Sequence, residues 1–229
     1  MIDSYGQAAS LEPQNPALKV DLGRAHTVIA DRFQQQAAQI ETSQKPDKAQ
    51  IDALFAQRNQ ELEQSLILLG QAVELKPDYS PAHFLMVQVY SRQGALKDAL
   101  AKSLDYYSLN PKDAGAAFQL GFLLYRDNQM DNAKMVLERA VSLDGNYSNA
   151  RYFLGLIYDS QGNKQGAKEQ FEKILALNPD SEEVKKILDN LNAGRGALET
   201  IVPPAAPPEQ RTETPLPEAG GAKTEQLKK

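Results

Sequence analysis

A segment of 34 residues recurs three times without a gap, and this period restricts the chain more than any other feature. Ser148–Ser181 is the clearest copy. Gly162 recurs as Asn128 and Gly94, Ala167 as Ala133 and Ala99, and Leu177 as Leu143 and Leu109. Pro179 recurs as Gly145 and Pro111. A fixed period of this length means stacked units that bury their apolar faces against neighbours, not one closed globule.

Each copy reads as two helices. Apolar residues fall at helical spacing on both sides of a turn centred on Gly94, Asn128 or Gly162. The second helix ends at Asn110-Pro111, Asp144-Gly145 or Asn178-Pro179, since proline stops a helix and glycine accepts a left-handed cap. Gly121 and Gly155 are expected to face Ala133 and Ala167, so that two helices approach closely. Val87 and Tyr106 break that pattern, which predicts a wider helix pair in the first copy.

Upstream, the next proline in register after Pro13 is Pro77, which is 64 residues on, not 34. Thirty residues have been inserted. The apolar stripe Ile29, Phe33, Ala37 and Ile40 returns as Ile51, Leu54, Phe55, Arg58 and Leu62, with Pro46 opening the second helix. Both helices are thus lengthened by roughly 15 residues, about 20 Å at 1.5 Å per residue. The product is a hairpin that projects beyond its neighbours, with nine glutamines between Gln34 and Gln64. Its surface reads either as a solvated helix face or as a contact arm for a partner.

The predicted organisation is therefore the end of a truncated repeat at 1–15 and an extended hairpin at 16–79. Three regular units follow at 80–113, 114–147 and 148–181. A capping helix at 182–199 carries Val184, Ile187, Leu188 and Leu191 on one face. A Pro-rich tail, 200–229, is too polar to repay ordering and reads as a linker or a polyproline ligand. A chain that starts in mid-repeat is expected to be a fragment, or to dock its first helix on a partner.

Composition narrows the function. The net charge of −5 argues against a nucleic-acid partner, which calls for a basic patch. Without cysteine there is no disulfide framework and no thiolate metal site. No stretch approaches the roughly 18 apolar residues of a membrane span. The first ten residues lack the basic and apolar regions of a signal peptide, and no compartment is assigned.

The repeat resembles the tetratricopeptide repeat. Leu154-Gly155, Tyr158, Gly162, Ala167, Phe171 and Pro179 carry the likeness, with His83, Ala117 and Arg151 where that family usually has tryptophan. The resemblance implies an all-α fold, a right-handed superhelix of antiparallel helix pairs that holds peptides or proteins on its concave side. A narrower resemblance, of residues 146–188 followed by a Pro-rich tail, is to the C-terminal repeat regions of bacterial O-antigen ligase-like membrane proteins. It implies a soluble scaffold domain tethered to a membrane domain upstream; glycosyl-transfer activity is not carried over to this chain.

Catalytic chemistry is not expected. The two histidines, His26 and His83, lie in different units and read as packing residues without nearby acidic partners. Gly162–Lys168 lacks the spacing of a phosphate loop. No nucleophile, base and orienting group assemble, and no cofactor is called for. The resemblance places the inner groove on the first helix of each unit, at Phe84, Gln88, Ser91 and Arg92; Phe118, Phe122, Tyr125 and Arg126; and Tyr152, Leu156, Asp159 and Ser160. Phe84, Phe118 and Tyr152 then form a column beside Arg92 and Arg126, suited to a peptide with an acidic group. The same aromatics could instead pack between units. The lysine and asparagine set by which some family members hold a terminal carboxylate is absent.

Overall fold

The computed structural model describes residues 11–199 and Ile201, so what is expected of the chain's first ten residues and of the Pro-rich tail lies outside the described residues. The described residues fold as nine α-helices: α1 (Pro16–Glu41), α2 (Lys48–Leu75), α3 (Ser80–Gln93), α4 (Leu96–Leu109), α5 (Ala114–Arg126), α6 (Met130–Leu143), α7 (Ser148–Ser160), α8 (Lys164–Leu177) and α9 (Glu182–Asn192). They form two compact units, divided after Asn110.

The first unit holds α1 to α4. Asn15 caps α1 by accepting the Ala17 N–H at 3.0 Å, and Pro16 occupies the first turn, where no N–H is needed. At 26 and 28 residues, α1 and α2 outrun the 14-residue α3 and α4 by nearly the expected lengths. Asp47, not Pro46, starts α2: its carboxylate accepts the Gln50 N–H at 3.1 Å, and Pro46 precedes the cap. Val20, Ala30, Leu62, Leu69, Ala72, Leu85 and Val89 share one buried cluster, so the inner half of the hairpin packs on α3. The outer half closes on itself through Ala37 and Ile51, and residues 41–50 are all exposed.

The second unit holds α5 to α9. Asp113 caps α5 by accepting the Gly115 and Ala116 N–H groups at 2.7 and 3.2 Å, Asn163 caps α8, and Ser181 caps α9. Val184, Ile187, Leu188 and Leu191 of α9 are buried, and Glu182 and Glu183 stand in its first turn, where negative charge suits the helix dipole. The three turn residues all take left-handed backbone, with φ of 73° at Gly94, 61° at Asn128 and 78° at Gly162.

The close helix approach uses different partners from those expected. A Cβ on Gly121 would lie 2.7 Å from Leu137, and one on Gly155 would lie 2.7 Å from Phe171. The glycines therefore make room for a large side chain one turn beyond Ala133 and Ala167. Gly23 does the same for Leu69 in the hairpin, at 3.3 Å. The register that pairs Gly121 with Leu137 pairs Val87 with Ser103, and both are buried. The volumes are exchanged in that copy. The position opposite Val87 is thus Ser103, not Tyr106, which removes the reason for a wider pair.

Candidate functional site

The residues expected to line a groove divide into three groups. Phe118, Phe122 and Tyr152 are buried, at 5, 6 and 7% exposure. Phe153, which the sequence reading passed over, lies among them, with ring centroids 4.8 Å from Phe122, 5.2 Å from Tyr125, 5.5 Å from Tyr152 and 6.2 Å from Phe118. Tyr152 also meets Phe171 edge-on at 5.7 Å, and its hydroxyl donates to Glu183 at 2.8 Å. These rings fill the space between α5 and α7, where each aromatic pair adds roughly 0.5–1.5 kcal/mol beyond burial.

A second group is committed to contacts within the protein. Arg92 donates from Nε and Nη2 to the two carboxylate oxygens of Asp31 at 2.9 and 3.1 Å. Arg58, on α2, donates to the main-chain oxygen of Arg92. Burial lowers the Arg58 guanidinium from its ordinary value; Asp31 opposes this and Arg92 adds to it. Arg92 therefore ties α3 to the hairpin, which the reading as a groove charge did not foresee. Asp159 is also engaged, by Lys164 at 2.5 Å and by the Ala197 N–H at 2.7 Å. Lys164 reaches the Arg195 carbonyl and Asn190 reaches the carbonyls of Ala197 and Glu199, so residues 195–199 are pinned down although regular structure has ended.

The third group is open. Arg126 is exposed, with its guanidinium 5.9 Å from the centre of the Phe122 ring, and no carboxylate among the described residues pairs with it. Tyr125 and Leu156 are half-buried in the same unit, and burial raises the Tyr125 hydroxyl from its ordinary value. In the first unit Phe84 is 37% exposed and leans on Tyr106 at 5.2 Å, while Gln88 is half-buried and gives its main-chain oxygen to Arg92. Ser91 is half-buried and Ser160 exposed, its hydroxyl turned back to the Ile157 carbonyl.

Both histidines have an acidic neighbour, contrary to expectation. His26 Nδ1 lies 2.6 Å from Glu61, and His83 Nδ1 lies 3.7 Å from Asp105. Glu61 became a neighbour only through the inserted residues, which set where α2 returns past α1. His83 Nε2 donates to the Pro77 carbonyl at 2.8 Å. Arg151, at the same place two copies later, donates to the Gly145 carbonyl at 2.8 and 2.7 Å. Both side chains hold the carbonyl six residues back, and so fix the turn that leads into their helix. No group of three or more acidic or histidine side chains among the described residues could hold a metal ion.

Stacked helix pairs, left-handed turn residues and paired small and large side chains define the repeat. A family model described as "Tetratricopeptide repeat" matches residues 124–191. Over those residues the chain matches the tetratricopeptide repeat. Two curated relatives match part of the chain. One is "Protein O-mannosyl-transferase TMTC3" of Homo sapiens, 28% identical over 48% of this chain and 12% of its own length. The other is "Protein O-mannosyl-transferase TMTC1" of Mus musculus, 29% identical over 61% of this chain and 16% of its own length. The chain thus spans well under a fifth of either relative. Among solved structures, YrrB, "a TPR protein with an unusual peptide-binding site", superposes with a TM-score of 0.64 at 18% identity, over 87% of this chain and 89% of its own. At that identity the likeness shows the tetratricopeptide fold alone.

Proposed function

We propose that the tetratricopeptide repeats form a non-enzymatic scaffold that binds a peptide or protein segment on the first-helix face of each unit. In the second unit, Tyr125, Arg126 and Leu156 meet the partner over a floor of Phe118, Phe122 and Tyr152. In the first unit, Phe84 and Gln88 serve. The observation that carries this reading is Arg126: an exposed guanidinium over a buried aromatic ring, with no carboxylate among the described residues to occupy it. Such a group forms strong bidentate bonds to an acidic side chain or a terminal carboxylate. Arg92 is already spent on Asp31, so the acidic preference rests on Arg126. The peptide-binding site named for YrrB agrees with this use of the fold.

The test is capture on the immobilised chain, with partners identified by mass spectrometry and then remeasured against Arg126→Glu and Tyr125→Ala. Loss of the same partner from both variants supports the face. Equal capture by wild type and both variants rejects it.

A second reading is favoured by the two O-mannosyl-transferase relatives and by the resemblance to O-antigen ligase-like proteins. In it, these repeats are the scaffold region of a longer, membrane-tethered glycan-transferring protein, and position it or its partners. No helix among the described residues is long and apolar enough to cross a membrane. An antibody to residues 80–199 tests the idea: a band far above 25.2 kDa in the membrane fraction supports it, and a band of that mass outside the membrane fraction opposes it.

A further inference from the structure

The inserted residues do more than lengthen a hairpin. The Asp31–Arg92 pair and the bond from Arg58 to the Arg92 carbonyl fasten α1 and α2 at the end of α3. An open recess of about 650 Å³ lies along α2 beside the end of α3, lined by Ala56, Asn59, Gln60, Glu63 and Leu66 of α2 and by Gln93 of α3. The five α2 residues follow one another at helical intervals and so present a single face.

The chemistry of this face is uneven. Its ends, Ala56 and Leu66, are apolar. Its centre carries the side-chain amides of Asn59 and Gln60, and a third, Gln93, faces them across the recess. A primary amide offers both a donor and an acceptor, which matches the paired N–H and C=O of a peptide main chain. Asn59 gives its carbonyl oxygen to Arg58 and keeps its NH₂ for another acceptor. Glu63 is exposed, and no lysine, arginine or histidine among the described residues forms an ion pair with it. The neighbouring cation, Arg58, is directed instead at Asn59 and the Arg92 carbonyl.

We infer that this recess is an interaction surface for an extended basic peptide segment. The amides of Asn59, Gln60 and Gln93 hold its main chain, Glu63 pairs with its lysine or arginine, and Ala56 and Leu66 cover the apolar stem of that side chain. Lysine and arginine stems lie on apolar surface while the charged end stays in water, so the alternation of Leu66 with Glu63 suits them. The surface is distinct from the first-helix face and has the opposite charge preference.

The experiment is a titration of the full, ¹⁵N-labelled chain with acetyl-Ala-Lys-Ala-amide, with the Ala-Glu-Ala and Ala-Ala-Ala peptides as controls. The lysine peptide is expected to shift the amides of residues 59–66 and Gln93. Glu63→Gln, an exposed change that leaves the rest of the spectrum in place, is expected to weaken it by about three- to fivefold, the range of an exposed charge pair. Gln93→Ala, on the opposite wall, is expected to weaken it independently, and Arg126→Glu to leave it unchanged. Equal shifts from the lysine and glutamate peptides, shifts that map elsewhere, or undiminished binding to Glu63→Gln would each overturn the inference.

Discussion

Arg92 and Asp31, 61 residues apart in sequence, form a two-point ion pair that locks the third helix to the first. Both side chains are part-exposed, Asp31 at 44%, so water screens the pair and its contribution to global stability is about 1 kcal/mol or less. Its main effect is local, because it stands where the inserted helices leave the support of α3. Asp31→Ala is expected to speed amide hydrogen exchange in residues 32–41 and 48–57 while leaving α5 to α9 unchanged. Exchange that rises equally throughout the first unit would assign the pair to the core instead.

Gly121→Ala and Gly155→Ala each insert a methyl group 2.7 Å from Leu137 or Phe171. Overpacking of this kind costs roughly 1–3 kcal/mol, read from the denaturant midpoint. The Val87 and Ser103 copy indicates the remedy. Gly121→Val combined with Leu137→Ser is expected to lose less stability than the two single changes summed, because the volumes are exchanged as they are one copy earlier. Strict additivity would show that the two positions do not share one space.

Tyr158 donates its hydroxyl to Glu138 at 2.8 Å, and burial, this hydrogen bond and the charges of Glu138 and Glu169 push its pKa up to about 12. The folded protein therefore favours the neutral phenol. That contribution is complete below the ordinary tyrosine value of about 10 and is lost as pH rises from there through about 12. Ultraviolet titration is expected to show a phenolate step at about 12 that Tyr158→Phe removes. A titration curve whose late part is unchanged by the substitution would contradict the assignment.

Gly162 holds φ at 78°. Any other residue there meets a left-handed penalty of roughly 1–2 kcal/mol, so Gly162→Ala is expected to destabilise the second unit by about that amount. Asn128, at φ 61°, occupies the same turn without being glycine, and Asn128→Gly is expected to be neutral or slightly stabilising. Equilibrium unfolding distinguishes the two.

How much of this was legible in the sequence follows from the range of each interaction. Helix ends and left-handed turns are set by neighbours a few residues away, and the 34-residue period displayed them three times. The Asp31–Arg92 and His26–Glu61 pairs depend on how far the inserted hairpin slides before it returns, which no repeat copy records. Burial of Phe118, Phe122 and Tyr152 was one of two readings that the sequence left open. A first-helix aromatic can face the groove or the next helix, and the choice turns on a rotation that here lets Phe153 gather the rings. Arg92 and Arg126 hold identical register and differ only because the inserted hairpin supplies Asp31 to one of them.

The central claim is that the repeats bind a partner through the open first-helix face around Arg126. The most direct measurement is the affinity of the captured partner for the full chain, compared with Arg126→Glu and with Glu172→Lys, a charge change on the exposed side of α8. The expected result is a loss of at least about tenfold with Arg126→Glu, in line with a charge-assisted contact, and none with Glu172→Lys. Unchanged affinity in Arg126→Glu together with a loss in Glu172→Lys would contradict it.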